Sequence, residues 1–218
     1  MISSSYLLSG ADERHAQMDT VLEATYGRPE GGLRNKSDPL DEAINIIFSF
    51  QTDLARVKST WSKLRMAYPT WENLARGSAD EVAAVLHQGG LQKQKALAIW
   101  HLLPEVELIA DGLLLDRLQT MSDEDAEALL MRLPGLSCKA ARCVLLYSRR
   151  RDVFPIDSNT FRNLERAGIL SSCSAYRRRI LHDAIRRAVS GASPPCASRE
   201  SRGAQAAYHV NRSANVAR

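Results

Sequence analysis

Two residues with complementary chemistry, Lys139 and Asp157, stand 18 positions apart in the second half of the chain. A lysine amine is a nucleophile when it is deprotonated, and a fixed carboxylate stabilises positive charge that develops nearby. Lys139 closely follows residues 133–135 (Leu-Pro-Gly), and Asp157 closely follows residues 154–156 (Phe-Pro-Ile). If folding brings the two side chains together, the pair predicts nucleophilic chemistry on one substrate.

The elements predicted to position this pair are two helices joined by a tight turn, followed by a third helix. The first helix stops at residues 133–135, where Gly135 suits a backbone with positive φ or a close approach. The second helix begins near Ser137, and the N–H groups at its start form a site for a phosphate oxygen. Asp157 occupies the position where an N-cap aspartate is expected to open the third helix.

Each of these features has a simpler explanation when it is taken alone. The Leu-Pro-Gly segment can be only a helix stop, Lys139 a solvated lysine, and Asp157 only a cap. The three features together, in this order and at this spacing, favour a site at which Lys139 and Asp157 act on one substrate.

Residues 133–141 (LPGLSCKAA) and 155–159 (PIDSN) resemble the helix-hairpin-helix (HhH-GPD) DNA glycosylases of the endonuclease III superfamily. The family pattern is roughly LPGVGxKTA followed by a VDTH-like segment, with the same interval from lysine to aspartate. The resemblance implies an all-α fold of two helical lobes with a DNA-binding cleft between them, one lobe containing the helix-hairpin-helix. Ser137 departs from this pattern at the second glycine, and Ser158 and Asn159 replace its Thr-His pair.

The resemblance assigns catalytic roles in base-excision repair to Lys139 and Asp157. Asp157 would stabilise the positive charge that builds on the sugar as the base leaves. Lys139 would attack C1′ and form a Schiff base, so that the 3′ strand is lost by β-elimination. Its place at the positive end of a helix dipole disfavours the charged amine. The implied activity is that of a DNA glycosylase with AP-lyase activity, whereas relatives without the lysine only remove the base.

The partner implied by the resemblance is double-stranded DNA that contains a damaged base or an abasic site. By resemblance, an oxidised pyrimidine or an abasic site already formed is the favoured substrate, ahead of oxidised guanine or a modified cytosine. The pocket residues carry no readable code for the lesion. Two other classes stay open. Helix-hairpin-helix units also occur as non-catalytic DNA-binding modules, and a helical protein-interaction domain would show no salt-dependent DNA binding.

Residues 49–53 (SFQTD) follow a nearly apolar helix, and a serine-x-glutamine segment occupies this place in the same superfamily. By resemblance, Gln51 enters the duplex where the flipped base has left. The alternative is that Gln51 is an ordinary turn residue.

Leu91 follows two glycines and precedes a predicted helix that carries Lys93 and Lys95. By resemblance, Leu91 is a wedge that holds the duplex kinked, with packing into the core as the alternative. Lys93 or Lys95 is expected to meet backbone phosphate, as are Gly135 and Ser137 in the hairpin.

No stretch alternates in hydrophobicity for long enough to predict a strand. We expect a helical barrel domain over residues 38–151, with the helix-hairpin-helix at about 126–148. Residues 1–37 and 152–190 are expected to form a second helical lobe, and residues 191–218 a poorly ordered tail.

Several local signals predict helix ends and buried faces. Asp38 before a proline is a helix start, and Ser78 three residues before a glutamate is a capping box. Val21 and Met66 are predicted to face inward on the first and third helices. Pro104 should kink or divide its helix. The three tryptophans are expected in the core rather than as base-stacking groups.

The 218 residues carry a formal net charge of +4, which is compatible with nucleic acid but weak on its own. No apolar run approaches the roughly 20 residues that cross a bilayer. The first residues lack the order of a signal peptide. These features predict a monomeric cytoplasmic protein, associated with the nucleoid when bound to DNA, with reduced thiols.

Many relatives end in a Cys-x6-Cys-x2-Cys-x5-Cys arrangement that binds a [4Fe–4S] cluster. The four cysteines of this chain match no such spacing; they are Cys138, Cys143, Cys173 and Cys196. We therefore expect no iron–sulfur cluster, no other metal site and no cofactor. A basic helix is predicted between these last two cysteines, at residues 175–189.

Overall fold

The computed structural model describes residues 8–27, 36–86, 91–110 and 112–171. Over these ranges the regular structure is helical and includes no strand, which confirms the predicted all-α class. The α-helices in these ranges are α1 (Ala11–Tyr26), α2 (Pro39–Ser49), α3 (Leu54–Ala67), α4 (Trp71–Ala75), α5 (Ala79–Val85), α6 (Gln92–Ile109), α7 (Asp123–Arg132), α8 (Cys138–Arg149) and α9 (Ser158–Arg166), with a 3₁₀ helix at Asp116–Gln119. The predicted helix at 175–189 and the predicted tail at 191–218 lie outside the described residues.

The chain divides into two compact units. One unit, here named the hairpin unit, is Asn35–Arg149 and contains α2 to α8. The other, named the terminal unit, combines Met1–Arg34 with Arg150–Arg218, and its described helices are α1 and α9. No helix in the described part of either unit is both long and apolar enough to cross a membrane.

Helix α2 is the central element of the hairpin unit, as its apolar sequence predicts. It begins at Asp38, whose Oδ1 accepts a hydrogen bond from the Asp41 N–H at 2.8 Å. The helix packs against α3, α6 and α8. Fully burying an aliphatic or aromatic side chain contributes about 1.5–3 kcal/mol. The leucine, isoleucine and phenylalanine side chains of α2 buried in this way are Leu40, Ile44, Ile46, Ile47 and Phe48, and the smaller Ala43 is buried as well.

Several other local predictions are confirmed. Ser78 opens α5 through a reciprocal capping box with Glu81. Trp71 is buried, and its indole N–H donates to Asp41 Oδ1 at 2.8 Å. Trp61 and Trp100 are half-buried, so the core prediction holds fully only for Trp71.

Two expectations about helix faces need correction, and the alternatives at Pro104 are narrowed. Helix α6 continues through Pro104 and is not divided there, so a kink is the alternative that stays a prediction. Val21 is 62% exposed and Met66 is 81% exposed, so neither faces inward. Val21 and Met66 each lie one or two residues from a buried or half-buried neighbour. Because an α-helix turns about 100° per residue, a shift of one or two positions is enough to point a side chain away from the core.

The terminal unit has its own apolar cluster, which joins α1 to the segment around α9. The backbone N–H of Leu8 donates to the carbonyl of Ile169 at 3.0 Å, which ties the two chain segments together. The cluster consists of Ala11, Phe154, Ile156, Phe161, Leu164, Ile169 and Leu170, with Met18 and Ala167 packed against it.

A buried ion pair ties α7 to α8, the two helices of the hairpin. Arg142 Nε donates to Glu127 Oε2 at 2.8 Å, and the two side chains are 2% and 4% exposed. Removing one partner of such a pair leaves an uncompensated charge away from water.

We therefore predict that Arg142→Met alone lowers the free energy of unfolding by about 3–5 kcal/mol. The double variant Glu127→Leu/Arg142→Met should recover most of this loss, since neither charge then remains. Urea unfolding measures both effects. As a control, Arg56→Met breaks the exposed pair with Asp53 and should change stability by less than about 1 kcal/mol. A loss for Arg142→Met no larger than that of the control would contradict the prediction.

Candidate active site and DNA interface

The turn between α7 and α8 is short and tightly closed. The Leu133 N–H donates to the Leu130 carbonyl at 3.1 Å, and the Leu136 N–H donates to the Leu133 carbonyl at 3.2 Å. Leu133 and Leu136 are buried on either side of the exposed Gly135. The turn therefore presents backbone at its tip while its leucines anchor it in the core.

Gly135 is required here for both reasons that the sequence suggests. Its φ is +80°, a conformation that L side chains rarely adopt. A Cβ at this position would lie 3.1 Å from the Ala98 Cβ and 3.3 Å from the Ile47 Cδ1. The turn thus approaches α2 and α6 more closely than a side chain would allow.

Ser137, which replaces the second glycine of the family pattern, acts as a helix cap. Its carbonyl accepts the Ala141 N–H at 2.8 Å, and its Oγ accepts the Ala140 N–H at 3.4 Å, which is a long hydrogen bond. The first N–H groups of a helix have no carbonyl of their own helix to bond. The start of α8 therefore has the character of an anion site.

Lys139 lies half-buried in the first turn of α8, directly after Cys138. The Cys138 thiol donates to Glu127 Oε1 at 3.6 Å. Burial, followed by the nearby Glu127 carboxylate, raises the pKa of the Cys138 thiol to about 11. At neutral pH, Cys138 is therefore a protonated thiol and a poor nucleophile or metal ligand.

The cysteines within the described residues do not fit an iron–sulfur site. Cys138 is held as a thiol against Glu127, and Cys143 is buried on the same helix. A cluster needs thiolate ligands that converge on one point. Cys173 and Cys196 lie outside the described residues, so the absence of a cluster stays a prediction.

Asp157 is the N-cap of α9, as predicted. Its Oδ1 accepts the backbone N–H groups of Asn159 at 3.0 Å and Thr160 at 2.8 Å. Both bonds end on Oδ1, and among the described residues Oδ2 accepts none. One carboxylate oxygen thus fixes the side chain, while the other remains able to face a substrate.

The backbone on both sides of Asp157 is anchored. Ile156 precedes it and Phe161 follows it, and both belong to the apolar cluster of the terminal unit. Asn159 accepts a hydrogen bond from Arg162 Nη2 through its Oδ1. Lys139 belongs to the hairpin unit and Asp157 to the terminal unit, and their meeting across one sugar stays a prediction.

Gln51 is the exposed apex of the turn that joins α2 to α3. Its φ is +51°, which is uncommon for a residue other than glycine. The turn around it is closed by the Thr52 N–H, which donates to the Ser49 carbonyl at 3.3 Å. A backbone held in such a conformation is a recurrent sign of a functional position.

Leu91 shares this conformation at the start of α6. Its φ is +50° and its side chain is 43% exposed, so the alternative that it packs into the core is wrong. Lys93 is exposed in the first turn of α6. Lys95 is 5% exposed and its ammonium is hydrogen-bonded inside the hairpin unit, so Lys93 is the exposed one of these two lysines, and its phosphate contact stays a prediction.

The buried role of Lys95 is the feature that sequence reasoning missed. A signal for it exists, because Lys95 falls on the same helical stripe as the buried Ile99, Leu102 and Val106 of α6. A lysine in such a stripe is expected either to reach solvent or to find buried acceptors.

No protein-family model matches the chain. By sequence, the chain is similar to an Arabidopsis thaliana protein named "Putative DNA glycosylase", with 22% identity over 143 residues. The match covers 66% of this chain and 49% of that protein, so the chain spans about half the length of this relative.

Solved structures of DNA glycosylases share the fold. The chain is similar to endonuclease III trapped as a covalent intermediate with DNA, with a TM-score of 0.68, 17% identity, and coverage of 91% of this chain and 84% of that one. It is also similar to a thermostable thymine-DNA glycosylase, with a TM-score of 0.67, 16% identity, and coverage of 95% of this chain and 89% of that one. For the H. pylori 3-methyladenine DNA glycosylase bound to 1,N6-ethenoadenine, the TM-score is 0.67 and the identity 14%, with coverage of 97% of this chain and 99% of that one. The chain therefore has the all-α fold of the helix-hairpin-helix DNA glycosylases.

The packing of the hairpin turn generates a prediction. Gly135→Ala should lower the free energy of unfolding by about 2–5 kcal/mol, since a left-handed residue costs about 1–2 kcal/mol and overpacking about 1–3 more. Gly112→Ala is the matched control, because Gly112 has φ +91° with nothing within 4 Å of its added Cβ. Gly112→Ala should lower the free energy of unfolding by about 1–2 kcal/mol only, which is the cost of the left-handed backbone without overpacking. Chemical denaturation of both variants measures the difference, and equal losses would show that the turn does not pack closely on α2 and α6.

Proposed function

We propose that this protein is a base-excision-repair DNA glycosylase with AP-lyase activity, in which Lys139 is the nucleophile and Asp157 the charge-stabilising carboxylate. The observation that carries this proposal is the placement of the two residues at the starts of α8 and α9, in a chain with the fold of DNA glycosylases. A fold by itself hosts many functions, so the proposed activity depends on these two side chains.

The hairpin supplies the contact with the DNA backbone in this proposal. The tip of the turn at Gly135 and the amide groups from Ser137 onward form an anion site to which a phosphate oxygen binds. Lys93, exposed at the start of α6, adds a second phosphate contact. These contacts position the duplex without reading its sequence.

Two exposed side chains are suited to replace and support the flipped base. An enzyme that reaches the glycosidic carbon must first take the nucleotide out of the stack. Gln51, at the apex of its turn, fills the gap and meets the base opposite. Leu91 wedges against the neighbouring base pair and holds the kink.

Departure of the base creates positive charge on the sugar. The base takes the electron pair of the glycosidic bond, and C1′ and its ring oxygen share the charge that remains. Asp157 Oδ2 stabilises this charge, while Oδ1 stays bonded to the start of α9. A carboxylate that is already oriented needs no rearrangement during the reaction.

The Lys139 amine then bonds to C1′ and loses a proton, and the sugar ring opens to give a Schiff base. The Schiff base acidifies the C2′ proton. When that proton leaves, the C3′–O bond breaks and the 3′ phosphate departs with its electron pair. Cys138 does not compete for C1′, because its raised pKa of about 11 keeps the thiol protonated at neutral pH.

The substrate class follows from the resemblance, which favours an oxidised pyrimidine or a pre-formed abasic site in duplex DNA. We further propose that no iron–sulfur cluster takes part. The Cys138 thiol donates a hydrogen bond to Glu127, and the sequence has no cysteine spacing that matches the cluster of relatives.

The experiment uses duplexes that carry thymine glycol or an abasic site, with borohydride to reduce any Schiff base. The wild-type protein should form a covalent adduct and cleave the strand, and Lys139→Gln should form none. Asp157→Asn should slow base release by about 10²–10³-fold, since a neutral amide still caps the helix but no longer stabilises the charge. Lys58→Gln, an exposed lysine of α3, is the control and should behave as wild type.

Three outcomes would contradict the proposal in different ways. Tight, salt-dependent binding with neither adduct nor base release on any lesion indicates a non-catalytic DNA-binding module. Base release without an adduct indicates a glycosylase that lacks AP-lyase activity. No salt-dependent binding at all indicates a function away from DNA.

A further inference from the structure

Lys95 carries a positive charge in the interior of the hairpin unit. Its ammonium donates to the Phe48 carbonyl at 2.9 Å and to Thr52 Oγ1 at 2.5 Å. Burial removes water from the Lys95 ammonium and lowers its pKa, because desolvation destabilises the charged form. A buried cation is tolerated only when polar partners replace water, and these two partners do so.

The two acceptors lie on either side of Gln51 in the chain. The Phe48 carbonyl is among the last of α2, where no intrahelical N–H is available, and a cation is favoured at this end of the helix dipole. Thr52 Oγ1 in turn donates to the Phe50 carbonyl at 3.1 Å. The ammonium therefore bridges the end of α2 to the far side of the turn that presents Gln51.

Lys95 is also connected to Leu91. Its backbone N–H donates to the Leu91 carbonyl at 3.0 Å, which closes the first turn of α6. In the described part of the chain, the residues other than glycine with positive φ are Gln51, Leu91 and Arg150. Lys95 therefore contacts both the turn that presents Gln51 and the backbone of Leu91.

We propose that Lys95 is a positioning residue that holds the Gln51 turn in register with Leu91, so that the two side chains enter the duplex together. This inference depends on the proposed function for the roles of Gln51 and Leu91. The Lys95 side chain is buried in the hairpin unit, but packing alone does not require a charge. A methionine fills a similar space without making either hydrogen bond.

The first test needs no DNA. Hydrogen exchange at the amides of residues 49–53 should become about ten- to a hundredfold faster in Lys95→Met, because hydrogen bonds to a charged group are lost. Thr52→Val removes the hydroxyl that accepts from Lys95 and donates to Phe50, at a half-buried position with little change of shape, and should act in the same direction. Lys58→Met is the control and should leave this exchange unchanged. Unchanged exchange in both Lys95→Met and Thr52→Val would overturn the proposal.

The second test is a double-mutant cycle on single-turnover base release, with 2-aminopurine opposite the lesion to report entry of Gln51. Lys95→Met should slow base release by about tenfold or more and reduce the fluorescence change, with little effect on the binding midpoint. Lys95→Met should add nothing further in a Gln51→Ala background. Fully additive effects would mean that Lys95 only stabilises the fold, and would overturn the proposal.

The two tests separate this inference from the proposed function. If the wild-type protein neither binds nor cleaves any lesion, the proposed function fails, and hydrogen exchange alone decides whether Lys95 fixes the turn. If the wild-type protein is active but the cycle is additive, the function stands and the positioning role is wrong.

Discussion

The close approach of the hairpin turn to α2 and α6 is the constraint on which the hairpin unit depends. A Cβ at Gly135 would lie 3.1 Å from Ala98 of α6 and 3.3 Å from Ile47 of α2, so the turn packs directly against both helices. This packing fixes where α8 begins, and therefore where Lys139 and the proposed anion site lie. The buried Glu127–Arg142 pair holds α7 and α8 together behind the turn.

The residues proposed to act on DNA share one structural principle, which is that each stands at the boundary of a helix. Lys139 is in the first turn of α8, Asp157 caps α9, Gln51 follows α2, and Leu91 precedes α6. Helix ends carry backbone groups without intrahelical partners, and the helix dipole is concentrated there. Rigid helices thus supply position, while their ends supply hydrogen bonds and charge.

Local chemistry made much of this arrangement predictable from sequence. The caps at Asp38, Ser78 and Asp157 depend on residues three or fewer positions away, and the positive φ that favours glycine at residue 135 depends on the turn itself. The contacts that were missed span long distances in the chain, such as Lys95 with Phe48, which only the packed helices bring together. The prediction that Val21 faces inward is wrong because α1 has few apolar residues. In such a helix, the spacing of apolar residues alone does not determine which face is buried.

The proposed mechanism requires an amine and a carboxylate from two separate parts of the chain to act on the same sugar carbon. A crystal structure of the borohydride-reduced adduct with duplex DNA tests this requirement. We expect a covalent bond from Lys139 Nζ to C1′, with an Asp157 carboxylate oxygen within about 4–6 Å of that carbon, the range over which opposite charges interact strongly. Attachment through any other residue, or an Asp157 carboxylate turned away from the sugar, would contradict it.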